Sequence, residues 1–222
     1  MGLNVSSGNM YDFVTHTWNA IKGKCYHDCS YCYMKRWGGL NPVGFDEKEL
    51  KTDLGKWNFI FVGSSCDMFS NNIPDEWVNK VLCKCSKHES NKYLFQTKNP
   101  SRILEFDNLI LKKSTICTTI ESDVFYKGIM VNSPEIQKRS DAMEIISQHV
   151  NTYVTVEPIL KFKLFNFVDI LKKCNPAQVN IGADSGKNNL PEPSKAEIYC
   201  LIKELEKFTK VKLKPNLNRL LK

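Results

Sequence analysis

Apolar positions along the chain alternate between two kinds of pattern. One is the short apolar or β-branched run: Phe13 to Ile21, Trp57 to Val62, Lys92 to Thr97, Ser114 to Ile120, Thr152 to Glu157 and Ala177 to Ala183. These have strand length, and the unbroken run ending Phe-Ile-Phe-Val62 suits a strand buried on both faces, as in a parallel sheet. The other is apolar recurrence at helical spacing. Pro74-Asp-Glu76 opens a helix burying Trp77, Val78, Val81 and Leu82, capped by Asn72 or Ile73. Asn99-Pro100 reads as cap and first turn of the next, with Ile103, Leu104 and Phe106. Ser133-Pro134-Glu135 starts the clearest helix, whose buried candidates are Ile136, Met143, Ile145 and Ile146. Phe165 to Cys174 follows, and Ser194 with Glu197 forms a capping box for Lys195 to Phe208. Gly38, Gly39, Pro42 and Gly44 mark irregular backbone before a short helix expected over Asp46 to Leu54, and Val211 to Lys222 reads as a tail.

Six strands alternating with six helices, roughly every 30 residues, require parallel pairing through right-handed crossovers. No sequence repeat accompanies the interval, so these are βα units and not a solenoid. The expected fold class is α/β: a partial (β/α)6 TIM-like barrel, two units short of closure, whose lateral mouth admits a large substrate. No linker or low-complexity segment divides the 222 residues. One domain is expected, its core spanning about residues 10–210, with a short basic tail.

Composition adds limits. Apolar residues make up 42% and charged residues 25%, ordinary for a soluble globular protein. No apolar run reaches the roughly 18 residues of a membrane span. Met1 to Met10 is polar and lacks the apolar core of a signal peptide, so a cytoplasmic location is expected. Nine cysteines there read as thiols or metal ligands, not disulfides. The net charge is +7, and Lys207, Lys210, Lys212, Lys214, Arg219 and Lys222 crowd the carboxyl end. Such a run is either a solvated face or a patch that attracts a phosphate backbone.

The chemistry centres on Gly23-Lys-Cys-Tyr-His-Asp-Cys-Ser-Tyr-Cys-Tyr33, directly after the first strand. Its thiols, Cys25, Cys29 and Cys32, are spaced C-x3-C-x2-C. Three thiolates so close in sequence can ligate three irons of a cubic iron–sulfur cluster and leave one iron open. The alternative is zinc, with His27 as fourth ligand. Ligand sites in parallel α/β folds lie at the carboxyl ends of the strands. Those ends here carry Gly63-Ser64-Ser65-Cys66-Asp67, Gln96-Thr97-Lys98, Thr118-Thr119-Ile-Glu121, Glu157-Pro158 and Asp184-Ser185-Gly186, so polar and small groups collect on one rim. Cys83 and Cys85 cannot face one ligand from a helix. Cys117, Cys174 and Cys200 stand alone in apolar settings, and His16, His88 and His149 form no ligand spacing.

The C-x3-C-x-aromatic-C pattern resembles the radical S-adenosylmethionine (radical SAM) superfamily. Thr17-Trp18-Asn19, Ile60-Phe-Val-Gly63 with Asp67, Pro74-Asp-Glu-Trp77, Gln96-Thr-Lys98-Asn-Pro100, Val156-Glu157-Pro158 and Asp184-Ser-Gly186 make the likeness more specific. Together, over about residues 10–190, they resemble a phage-type radical SAM group distantly related to spore photoproduct lyase. Two positions depart from that group: Ala20 stands where Pro is usual, and Cys66 where Ser is common.

The resemblance implies that Cys25, Cys29 and Cys32 hold a [4Fe-4S] cluster whose open iron chelates S-adenosylmethionine. Tyr31 would lie against the adenine. Ser64, Ser65 and Asp67 would face the methionine amino group. Lys98, or else Arg139, would pair the methionine carboxylate or a ribose oxygen, and Thr118 and Glu121 would hold the ribose hydroxyls. Each is equally an ordinary polar residue at a strand end, or, for Arg139, on a solvated helix face. Cys66 would be a hydrogen donor to a product radical, a small buried thiol, or a substitute for Ser. His27 could tune the cluster by hydrogen bonding.

The implied reaction is one-electron cleavage of S-adenosylmethionine to a 5′-deoxyadenosyl radical, which abstracts hydrogen from substrate carbon. A donor such as flavodoxin would supply the electron. The basic charge and open mouth favour a nucleic-acid base or nucleotide as substrate, for modification or repair. The reading from another class is a non-catalytic module that binds zinc and nucleic acid.

Overall fold

The computed structural model describes residues 2–7, 11–38, 40–110, 112–186 and 188–222. Its β-strands are β1 (Asn4–Val5), β2 (His16–Trp18), β3 (Ile21–Lys22), β4 (Gly44–Phe45), β5 (Phe59–Val62), β6 (Lys92–Thr97), β7 (Ser114–Thr119), β8 (Asn151–Val156), β9 (Gln178–Ile181) and β10 (Lys210–Leu213). The helices are α1 (Asp75–Ser86), α2 (Lys127–Met130), α3 (Ile136–Ile146), α4 (Leu164–Lys173), α5 (Lys195–Leu205) and α6 (Asn218–Leu221).

Eight strands form one sheet in the order β1-β2-β5-β6-β7-β8-β9-β10. All neighbours are parallel except β1 and β2, so the fold is mixed α/β with a mostly parallel central sheet. The order is linear: among the described residues no ladder joins β10 back to β1 or β2. The sheet nevertheless curls, because Lys212 Nζ on the far edge reaches Asp12 Oδ2, just ahead of β2, at 3.1 Å. The expected six-stranded arrangement is thus extended by a seventh parallel strand. β10 occupies the segment read as a tail, pairing Lys210 with Gln178 through Leu213 with Ile181.

Period-two alternation splits the sheet into two faces. Ile60, Val62, Tyr93, Phe95, Ile116, Val154, Val156, Val179 and Ile181 face the helices and form the main core with Val78, Leu82, Met143, Phe167 and Leu201. Phe61, Leu94 and Cys117 point to the concave face, where Tyr11 and Val14 pack on them. That packing shortens the expected first strand to His16–Trp18, because the chain before it turns across the concave face.

Two expected helices are 3-10 segments, Glu47–Lys51 and Pro100–Leu109, the latter broken at Phe106 (φ −121°, ψ 19°). Asn99 does not cap: its amide donates to Phe69 O at 3.0 Å and Asn71 Oδ1 at 2.8 Å. α1 begins after Pro74, one or two residues beyond the expected cap. The capping box at α5 is formed as expected, with Ser194 and Glu197 bonded reciprocally. No helix among the described residues is long and apolar enough to cross a membrane.

Candidate functional site

A cavity of about 850 Å³ lies at the carboxyl ends of the parallel strands, between the cysteine loop and the exits of β5, β6, β8 and β9. Cys25, Cys29 and Cys32 line it together with Tyr31, Ser64, Ser65, Cys66, Asp67 and Lys98.

The loop is held in place by backbone. Gly23 starts it at φ +113°, and a Cβ there would sit 2.5 Å from Pro42 O, so only glycine allows this approach to residues 41–43. Lys24 N donates to Asn41 O at 2.9 Å, and Ser30 N to Ile129 O at 2.9 Å. Asn132 closes the other side, its N bonded to His27 O at 3.1 Å and its side chain to Tyr26 O at 3.0 Å. The thiols remain lightly engaged. Cys29 Sγ lies 3.5 Å from Ser133 Oγ and 4.0 Å from Met130 O. The neighbouring Cys66 thiol, together with nearby His27, outweighs burial and lowers the Cys25 thiol. The Cys66 thiol is pushed up by the same contact and by burial. Burial also raises Cys32. Among the described residues, no three His, Cys, Asp or Glu side chains converge on a single-ion site.

The second wall grows from the end of β5. Gly63 turns at φ +76°, with its N–H on Trp18 O at 3.0 Å. Asn19 Oδ1 then accepts from Ser65 N at 3.0 Å and from Ser64 Oγ at 3.2 Å. The Ser65 hydroxyl is buried without a partner. Asp67 collects four donors: His27 Nε2 at 2.9 Å, Thr97 Oγ1 at 2.9 Å, Lys98 N at 2.8 Å and Phe69 N at 3.0 Å. Burial works against its charge, but His27 and the other donors hold its carboxyl below the ordinary range. For buried His27 the balance is the same in mirror image, with Asp67 overcoming burial to raise it. His27 is therefore a partner of Asp67.

The third wall is a charged lattice. Lys98 Nζ lies 2.6 Å from Glu121 Oε1 and 2.8 Å from the Tyr31 hydroxyl, which itself donates to Glu121. Arg139 Nη1 reaches Glu121 Oε2 at 2.9 Å. Glu121 and Arg139 are fully buried. Desolvation alone would raise the Glu121 carboxyl, but Lys98 and Arg139 outweigh it and hold it at about 2.

Three residues expected to contact the ligand are set back from the cavity wall. Thr118, Glu121 and Arg139 do not line the cavity. The Thr118 hydroxyl turns away to donate to Thr97 O at 2.8 Å, while Thr119, one residue on, faces the cavity. Arg139 is no solvated helix residue, since Nε on Pro134 O (2.7 Å) and Nη1 on Thr119 O (2.9 Å) complete its burial.

The remaining wall joins two rim residues read from the sequence, Gln96 and Glu157, to two that were not, Tyr11 and Lys214. Tyr11 OH donates to Gln96 Oε1 at 2.7 Å and accepts from Thr155 Oγ1 at 2.6 Å. Lys214 Nζ pairs with Glu157 Oε2 at 2.6 Å and lies over the Tyr11 ring, 4.8 Å from its centroid. Only the parallel alignment of β10 beside β9 could have revealed Lys214, because it delivers the next residues to the same rim.

This architecture is shared with solved structures of spore photoproduct lyase. A mutant of that enzyme with bound AdoMet and dinucleoside spore photoproduct matches with a TM-score of 0.67 at 11% identity, over 96% of this chain and 80% of that chain. The enzyme complexed with dinucleoside spore photoproduct matches with a TM-score of 0.68 at 10% identity, over 94% of this chain and 78% of that one. The likeness is one of fold. No curated protein matches in sequence. By its sequence the chain belongs to the family described as "Protein of unknown function (DUF5131)", which matches residues 9–195.

Proposed function

We propose that the chain is a radical SAM enzyme acting on a nucleic-acid base or nucleotide. One observation carries the reading: Cys25, Cys29 and Cys32 share a single cavity with Ser65, Asp67 and Lys98 at the ends of parallel strands. The residues fit the cofactors. Separate points on one wall suit a body that takes one thiolate per iron, and convergence on a single ion is not needed. The unpartnered Ser65 hydroxyl suits a ligand donor such as the methionine ammonium.

When bound, the cluster and S-adenosylmethionine would supply the one-electron chemistry that removes hydrogen from a substrate carbon. The chain supplies binding and placement. Cys25, Cys29 and Cys32 would hold three irons of the cluster. Ser64, Ser65 and an ionised Asp67 receive the methionine end, and Tyr31, its hydroxyl tied to Glu121, offers its ring to the adenine. Lys98 lies between Glu121 and the cavity, where its ammonium can meet a carboxylate or ribose oxygen. Arg139 acts one layer back, by keeping Glu121 charged, and Thr119 takes the ribose contact first expected of Thr118. A hydrogen-donor role for Cys66 requires the substrate radical to form at the cysteine end, where its thiol meets Cys25.

Two observations support the nucleic-acid substrate: the net charge of +7 and the dinucleoside held by proteins of the same fold. A one-electron donor such as flavodoxin is required. The test is anaerobic reconstitution with iron and sulfide, followed by reduction with S-adenosylmethionine present. A brown protein with about four irons per chain that forms 5′-deoxyadenosine is expected, and Cys29→Ala should abolish both. A colourless protein with stoichiometric zinc would replace this reading with the zinc-binding module. Deuterium passing from a labelled oligonucleotide into 5′-deoxyadenosine would identify the substrate class.

A further inference from the structure

The corner of the cavity around Ser185 brings together two cations from opposite ends of the chain. Arg36, just after the cysteines, donates to Ser185 O. Among the described residues, it makes no ion pair. Lys214 reaches the same corner from β10, its side chain only 11% exposed and its ammonium held by Glu157 Oε2 at 2.6 Å. Glu157 is fixed in turn: Asn216 Nδ2 donates to its Oε1 at 2.7 Å and also to Ser185 Oγ at 2.8 Å.

The acids nearby are already engaged. The Asp184 carboxylate accepts from Gly186 N at 2.9 Å, Asn188 N at 2.6 Å and Asn188 Nδ2 at 2.7 Å. Lys214 has three N–H donors and Glu157 Oε2 takes one. Ser185 Oγ accepts from Asn216, so its own proton is a further donor. A guanidinium, an ammonium and a hydroxyl around one corner match a tetrahedral oxyanion. Lys214 and Asn216 both lie beyond residue 195, where the family match ends.

We infer that Arg36, Ser185 and Lys214 form a phosphate subsite, which anchors a nucleotide or strand phosphate while the base reaches toward the cysteines. The inference rests on the nucleic-acid reading above and narrows it: the substrate carries a phosphate, and a bare nucleoside is a poor ligand.

The test uses the full chain and a short fluorescein-labelled single-stranded oligonucleotide, with binding followed by anisotropy across a salt series. Arg36→Gln and Lys214→Met should each weaken binding about tenfold and reduce the slope of log K against log salt by about 0.7. Lys214→Arg should restore both. Neither loss should appear with an oligonucleotide carrying uncharged methylphosphonate linkages. Competition by a nucleoside monophosphate but not by inorganic phosphate assigns the site to a free nucleotide, and competition by neither assigns it to a strand phosphate. Arg36 is exposed, so its variant tests the subsite even if Lys214→Met disturbs folding around Glu157. If either folded variant leaves affinity and slope unchanged, or weakens the methylphosphonate strand equally, the subsite is refuted. A wild-type chain that binds neither the strand nor a nucleoside monophosphate at low salt would overturn both this inference and the nucleic-acid or nucleotide substrate. Formation of 5′-deoxyadenosine by the loaded protein would remain a separate result.

Discussion

Glu121→Gln is the sharpest perturbation of the site's framework. Glu121 is fully buried and ties Lys98, Tyr31 and Arg139 together. Gln keeps the acceptor oxygen and the size but removes the charge. Its carboxyl is held at about 2 against an ordinary value of 4.5. At about 1.36 kcal/mol per pH unit, the ionised form contributes about 3 kcal/mol at neutral pH. That agrees with the cost of about 3–5 kcal/mol for removing one partner of a buried ion pair. The sign follows from the lowered value. The contribution is complete above pH 4.5 and is lost as pH falls through about 2. Urea unfolding followed by circular dichroism from neutral to acid pH is the assay. The variant should be less stable by about 3 kcal/mol at neutral pH, and its deficit should shrink as acid protonates Glu121 in the wild type. Other carboxylates titrate in both proteins, so the difference between them is the quantity to read. Equal stability at neutral pH, or a deficit independent of pH, would refute the argument that Lys98 and Arg139 hold Glu121 ionised.

Other perturbations test separate parts of the fold. At Gly182, an added Cβ would lie 2.7 Å from Glu157 Oε1 and 3.0 Å from Asn216 Oδ1. Gly182→Ala should therefore lower stability by about 1–3 kcal/mol, and an unchanged melting temperature would show that Glu157 moves freely. Trp57 is 82% exposed at φ +62°, so Trp57→Gly should be neutral or stabilising by about 1 kcal/mol, and a clear loss in urea unfolding would contradict this. Ser194→Ala removes the capping box and should cost about 1 kcal/mol, leaving iron incorporation unchanged when the variant is reconstituted.

Much of the framework was legible because the parallel strands β5 to β9 are short apolar runs, and their exits carry polar residues that the fold must place on one rim. The cysteine loop was legible from spacing alone. β10 was not, because Lys210 and Lys212 interrupt its apolar pattern, and Lys212 turns to the concave face to meet Asp12. Thr118 and Thr119 differ by one residue, and strand alternation sends them to opposite faces, a choice that local sequence leaves open. Arg139 looked like a solvated arginine because its partners, Glu121 and Thr119 O, come from a different element. His27 looked like a ligand candidate for the same reason, since Asp67 lies 40 positions away.

The central claim is that three thiolates leave one iron open to the nucleoside cofactor. It is tested most directly by electron paramagnetic resonance of the anaerobically reconstituted and reduced protein, recorded with and without S-adenosylmethionine. The account predicts a reduced [4Fe-4S] signal whose g-values shift when the cofactor is added. A protein with Cys25, Cys29 and Cys32 intact that gives no iron–sulfur signal, or one that S-adenosylmethionine leaves unchanged, would contradict it.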